Sequence, residues 1–211
     1  MADVNMLVAF YSRNGSTEQM AKAVAKGAEL AGADVRLRRA HDIVDEEIIK
    51  KVPGWAENRD RMQREYAAPD EEDAVWADGI LFGTPTRFGN VCAELKAYID
   101  SIGGPWAKGK LNGKAGGAFS STSSMHGGNE STALSLYNVL SHLGLIITPL
   151  GYSDPSLFKG GTPYGATTVS GQKHEADPTA ADIEVAMYQG RRTTEVARAL
   201  RQAGLTRHEQ G

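Results

Sequence analysis

The sequence predicts an α/β protein built on a doubly wound sheet of five parallel strands. Short unbroken apolar runs, of the kind that fill strands buried on both faces, recur along the chain; Ile80-Leu81-Phe82 is the clearest. Segments with apolar residues at helical spacing separate them, so strand and helix alternate. Two turns rich in glycine and hydroxyl residues, one at Ser12 to Thr17 and one at Gly83 to Asn90, follow apolar runs directly. Those are carboxyl strand ends, where open parallel sheets hold ligands.

The first strand is Met6-Leu7-Val8-Ala9-Phe10. After Ser12-Arg13-Asn14-Gly15-Ser16-Thr17, helical spacing of Met20, Ala21, Val24, Ala25 and Ala28 marks a helix, and Ser16-x-x-Gln19 matches a capping box at its start. Val35 and Leu37 predict a second strand. The polar stretch from Arg38 to Glu72 exceeds an ordinary connection and reads as an excursion, with one helix near Asp45 to Lys51. A third strand covers Ala77 to Gly83, and Pro85 and Gly89 are expected to end it. Leu95, Tyr98, Ile99 and Ile102 mark the next helix, stopped by Gly103-Gly104-Pro105. Gly116 to Ser120 forms the fourth strand and Ser121 to Gly128 a loop. Ala133, Leu136, Tyr137, Val139, Leu140 and Leu143 line a helix before a fifth strand at Leu145-Ile146-Ile147. A second excursion spans Gly151 to Gly171. Asp177-Pro178 supplies an N-cap and first-turn proline for a last helix bearing Ile183, Met187, Val196, Ala197 and Leu200.

A chain of 211 residues with 41% hydrophobic content suits a single domain over residues 1–211. Basic and acidic residues, 23 and 26, are interspersed and leave a net charge of -3, which argues against a nucleic-acid surface or a polybasic membrane anchor. No run is apolar enough to span a bilayer and the N-terminus lacks the pattern of a secretion signal, so a cytoplasmic protein is expected. Cys92 stands alone, without partners for a disulfide or a metal site. The polar tail Thr206 to Gly211 is expected to fray.

The loops choose among doubly wound topologies. Neither a G-x-G-x-x-G dinucleotide turn nor a glycine-lysine-serine/threonine P-loop follows the first strand. Ser-x-Asn-Gly-Ser-Thr stands there instead, a run of hydroxyls and backbone N–H groups at a helix N-terminus, suited to one phosphate monoester without a metal. In the flavodoxin-like strand order 2-1-3-4-5, the first and third strands flank the switch point. The phosphate turn and the Gly83 to Asn90 turn then share one crevice.

Ser12 to Thr17, Gly83-Thr84-Pro85-Thr86-Arg87-Phe88-Gly89-Asn90, Ser120-Ser121-Thr122 and Gly160-Gly161-Thr162-Pro163-Tyr164-Gly165-Ala166-Thr167-Thr168 together resemble the WrbA-type NAD(P)H:quinone oxidoreductases, flavodoxin-like FMN proteins. The resemblance covers nearly the whole chain. It implies an FMN cofactor, ping-pong exchange in which NADH or NADPH passes hydride to flavin N5 before a quinone takes two electrons, and a homotetramer. By position, Ser12, Arg13, Asn14, Gly15, Ser16 and Thr17 would wrap the flavin phosphate. Thr84, Pro85, Thr86, Arg87, Phe88 and Gly89 would form the loop whose backbone amides meet the isoalloxazine edge. Ser121, Thr122 and Ser123 would form the third cofactor loop, with His142 a further cofactor contact. Trp106, Phe88, His142 and Tyr152 would line the substrate side, where a flat quinone suits aromatic neighbours. No side-chain nucleophile or metal is called for, since the flavin carries the chemistry. The chain departs from the family pattern in a longer third loop, Ser123-Ser124-Met125-His126, and in a shorter segment between Tyr152 and Gly160.

Taken alone, the phosphate turn reads equally well as a capped polar turn. Its pairing with the Gly83 to Asn90 turn favours the ligand. Without the resemblance, His142 is a histidine at the edge of a leucine-rich helix, and Phe88 and Trp106 are core aromatics. Two other functions stand beside the reductase: a flavodoxin-type one-electron carrier, and an FMN-binding regulatory interaction protein. A carrier that recognises basic partners needs a strongly acidic surface, which a net charge of -3 does not give. Direct DNA binding lacks a basic footprint.

Overall fold

The computed structural model describes residues 4–173 and 176–206. The fraying expected of the tail falls, from Arg207 onward, outside the described residues. Strand β1 (Asn5–Phe10) leads into helix α1 (Ser16–Leu30), and β2 (Asp34–Arg39) follows. Three helices, α2 (Glu46–Lys51), α3 (Trp55–Glu65) and α4 (Glu71–Trp76), fill the first excursion and the approach to β3 (Gly79–Pro85). Then come α5 (Ala93–Ser101), α6 (Gly103–Ala107), β4 (Ala115–Thr122), α7 (Asn129–His142) and β5 (Ile146–Ile147). A 3-10 turn (Pro155–Phe158), β6 (Thr167–Val169) and α8 (Ala180–Gln202) complete the chain.

The sheet is parallel in the order β2-β1-β3-β4-β5, as the loops predicted, with β6 also pairing β4. Strands β5 and β6 share one edge of β4. The start of β4 pairs Ile146 and Ile147, and its end, Ser120 to Thr122, pairs Thr167 to Val169. The second excursion is therefore an insertion that splits a fifth strand in two. Alternate residues of β1 feed opposite cores: Met6, Val8 and Phe10 pack with α1 and α8, whereas Leu7, Ala9 and, just beyond the strand, Tyr11 pack with α5 and α7.

Several boundaries differ from the sequence reading, each for a local reason. Strand β3 starts at Gly79 and continues through Pro85, since Thr84 and Pro85 still pair Ser120 and Ser121. A proline is tolerated at a strand end, where its missing N–H falls outside the ladder. Ser121 and Thr122 belong to β4 because β6 extends the pairing there. Gly103-Gly104-Pro105 opens α6 instead of closing off helical structure, since proline fits a first turn. The capping box at Ser16 does not form: Gly15 is the N-cap, at φ 105°, and Gln19 Nε2 bonds Asp177 Oδ1 at 2.6 Å. Thr179, not Asp177, caps α8, and Asp182 completes a reciprocal capping box with it.

Candidate active site

The phosphate turn, the β3 end and the β4 end converge on one cavity at the carboxyl edge of the sheet. Ser12, Arg13, Asn14, Ser16, Thr17, Pro85, Thr86, Arg87, Ser121, Thr122 and Ser123 line it, with Ser170 from beyond β6. Ser170 is absent from the sequence reading. Its N–H and hydroxyl both donate to the Thr122 carbonyl, at 2.8 and 3.1 Å, so it enters the site only because β6 pairs β4.

Short bonds hold the turn. Ser12 Oγ accepts from Gly15 N at 3.0 Å, and Thr17 and Ser121 hydroxyls bond at 2.8 Å, tying α1 to the end of β4. No side chain caps α1. The first-turn amides of a helix have no intrahelical acceptor, and the positive end of the dipole adds to them. Uncapped N–H groups facing a cavity lined with hydroxyls form an anion-binding concavity. Arg13 reinforces it: its guanidinium lies 5.1 Å over the Trp55 ring, and its Nε is buried with no hydrogen-bond partner. Burial, and then the nearby charge of Arg87, hold the Arg13 pKa below its ordinary value. An anion between the two arginines relieves both costs.

The β3 loop is a two-residue hairpin turn. Arg87 N donates to Asn90 O at 2.9 Å and Asn90 N returns a bond to Arg87 O at 3.1 Å. Phe88 and Gly89, at its tip, take φ 55° and 74°. Glycine adopts that backbone freely, but phenylalanine there is strained. Phe88 is also wholly exposed. Thr86 Oγ1 accepts from Gly89 N at 3.1 Å and bonds the Thr132 hydroxyl at 2.8 Å, so α7 braces the turn. The backbone donors expected at this loop are partly committed: Thr86 N bonds Ser121 O at 2.8 Å and Arg87 N closes the turn. Thr84 is buried behind the cavity, where its hydroxyl donates to Pro85 O and accepts from Cys92 N at the head of α5.

Other predicted residues lie elsewhere. Helix α7 runs from Gly128, beside the Gly89 turn, to His142, about 20 Å along its axis. His142 is thus at the amino edge of the sheet, where Trp106 Nε1 donates to its carbonyl at 2.8 Å. Both line a separate groove with Ile99 and Val139. Tyr152 stands on the second excursion, its ring 5.3 Å from that of Phe158. Within one chain these aromatics do not reach the cavity together. Among the described residues, no group of three or more His, Cys, Asp or Glu side chains is placed to hold a metal ion.

A nest of hydroxyls and uncapped helix-start amides facing a strained, exposed aromatic turn across the switch point of a 2-1-3-4-5 sheet defines a flavodoxin-like protein. Comparison with known proteins agrees. A WrbA-like flavodoxin from Agrobacterium tumefaciens superposes with a TM-score of 0.65 at 26% identity, over 93% of this chain and 98% of the other. The NAD(P)H dehydrogenase (quinone) of Geotalea uraniireducens is 39% identical over 93% of this chain and 99% of its own, and NAD(P)H dehydrogenase (quinone) 3 of Rhizobium meliloti is 42% identical over 92% of each. The family model described as NADPH-dependent FMN reductase matches residues 3–154. The chain belongs to this NADPH-dependent FMN reductase family.

Proposed function

We propose that this protein is an NAD(P)H:quinone oxidoreductase that uses FMN to pass two electrons from NADH or NADPH to a quinone. When bound, the flavin supplies the redox chemistry by accepting hydride and delivering two electrons. The chain supplies binding, orientation and exclusion of water. One observation carries the reading: the uncapped start of α1, with Arg13 and Arg87 beside it, suits a phosphate, in a chain that matches a quinone dehydrogenase over 93% of its length.

In this reading the amides and hydroxyls of Ser12 to Thr17 hold the phosphate, and Arg13 balances its charge. Ser121, Thr122 and Ser123 close the third side. The Thr86-Arg87-Phe88 turn meets the ring edge, where the Phe88 amide is still unspent among the described residues and its side chain stands ready to cover a flat substrate. Nicotinamide and quinone use this one face in turn. In this reading Trp106, His142 and Tyr152 reach a ring from a neighbouring subunit of a homotetramer, which the exposure of Trp106 and Tyr152 and the distance of His142 from its own cavity support. Trp106 and Tyr152 are 50% and 59% exposed as the chain stands alone. A free, buried Cys92 supports placement in the reducing cytoplasm. Among the described residues, no helix is long and apolar enough to cross a membrane.

Anaerobic titration of the purified yellow protein with NADH and then NADPH tests the activity. Expected is a single two-electron bleaching of the flavin bands, reversed by stoichiometric benzoquinone. One-electron staged reduction without quinone turnover overturns it and favours a carrier. A monomer with full activity in light scattering removes the tetramer.

A further inference from the structure

The phosphate turn leans on a buried polar cluster that comes from the first excursion. At its centre, Asp42 accepts three hydrogen bonds, from Tyr11 Oη at 2.7 Å, Trp55 Nε1 at 2.9 Å and Arg39 Nη2 at 2.8 Å. The Arg39 and Asp42 side chains are 1% and 3% exposed. The same Arg39 nitrogen donates to the Ser12 carbonyl at 3.1 Å. That bond keeps a carbonyl dipole turned toward a buried cation and out of a nest that must present N–H groups to an anion. The ring of Trp55, oriented by its bond to Asp42, carries the Arg13 guanidinium. One carboxylate thus fixes two consecutive residues of the turn, Ser12 through its carbonyl and Arg13 through its side chain.

Helix α3 contributes a second effect. Glu18, buried in the first turn of α1, would repel a phosphate held at that helix start. Arg61 of α3 pairs with both its oxygens, at 2.8 and 2.5 Å, and Tyr66 Oη donates at 2.8 Å. Hydrogen bonds from these two, against the cost of burial, hold the Glu18 pKa below its ordinary value, so the carboxylate stays paired and its field is neutralised locally.

We propose that Asp42 and Trp55 are positioning residues for the phosphate end of the cofactor, through which the first excursion sets the preference for phosphorylated over unphosphorylated flavin. This rests on the FMN reading above. Neither residue lines the cavity; each acts through Ser12 or Arg13. Trp55→Phe removes the indole N–H and part of the ring face under Arg13, while a smaller aromatic ring remains in the buried position.

The test strips the flavin from wild type, Trp55→Phe, Asp42→Asn and Arg13→Met, and titrates each apoprotein with FMN and with riboflavin, following quenching of flavin fluorescence. Loss of one buried hydrogen bond predicts about a tenfold weaker FMN affinity for Trp55→Phe, and more for Asp42→Asn, with riboflavin affinity changed less than about twofold. A parallel measurement follows the rise in apoprotein melting temperature with inorganic phosphate, expected in wild type and reduced in Trp55→Phe and Arg13→Met. Unchanged FMN affinity in Trp55→Phe, or equal weakening of both flavins with an unaltered phosphate response, overturns the proposal. Asp42→Asn leaves Arg39 buried without its partner; should it fail to fold, Trp55→Phe and Arg13→Met still decide. Failure of the FMN reading itself shows separately, as a wild-type apoprotein that binds neither flavin.

Discussion

Gln189, on α8, bridges the break between the two halves of the split edge strand. Its Nε2 donates to Ala118 O at 2.8 Å and its Oε1 accepts from Ala166 N at 2.9 Å. Below it Thr148 N bonds Gly116 O, and above it Ser120 N bonds Ala166 O, so the buried side-chain amide replaces the missing rung of the ladder. Gln189→Leu keeps much of the volume and strands one carbonyl and one amide in the core. Each buried unsatisfied group costs about 1–3 kcal/mol, so the apoprotein should lose about 2–6 kcal/mol. Stabilities of such domains are about 5–15 kcal/mol, so the loss is large. Urea denaturation of the flavin-free protein reads it from the midpoint, at constant m. The effect should reach the cavity, since β6 carries the chain into Ser170, and FMN affinity should fall as well. Gln189→Glu provides the pH control. Protonated, the acid donates to Ala118 O; ionised, it sets two oxygens against each other without solvent. Its folded pKa should therefore rise above the unfolded value of about 4.3, leaving the folded state with more bound protons, and stability should fall as pH rises through that window. A midpoint within about 0.5 kcal/mol of wild type for Gln189→Leu would refute the surrogate-rung argument.

Phe88→Gly relieves the positive-φ strain of the hairpin and should leave the apoprotein within about 1 kcal/mol of wild type, yet raise the quinone KM about tenfold or more; a melt and steady-state kinetics check the two halves. Gly190→Ala places a Cβ 1.9 Å from the Val24 carbonyl at the α1–α8 crossing, and denaturation should show a loss of about 1–3 kcal/mol or more as the helices separate. The buried Lys114 ammonium donates to the carbonyls of Ala74, Val75 and Ala77, at 2.6–2.8 Å, and burial pulls its pKa down to about 8 from 10.5. The unfolded chain then binds more protons above about pH 8. Wild type should gain stability relative to Lys114→Met by up to about 1.4 kcal/mol per pH unit from there toward pH 10, as paired urea melts would show.

Residue order alone specified much of the protein. Apolar runs with interleaved helical spacing determined the parallel sheet, and the missing dinucleotide and P-loop turns determined its strand order, because both are local consequences of what a buried strand and a helix start tolerate. The phosphate turn and the Gly83 to Asn90 turn were legible for the same reason: glycine, proline and hydroxyl residues constrain their own backbone. Tertiary structure decided the rest. Gly15 instead of Ser16 caps α1 because the turn enters the helix in a left-handed conformation, which leaves the amides free for a ligand. The polar excursion became a brace because Asp42, Trp55 and Arg61 find partners 13 or more residues distant, which no window of sequence can pair. Ser170 and Gln189 carry no motif, and their roles exist only because an insertion splits the edge strand. Trp106 and His142 follow the family pattern in sequence, but α7 carries His142 about 20 Å from the cavity that pattern assigns it to, since a helix converts fourteen residues into distance, and Trp106 on α6 bonds the His142 carbonyl there.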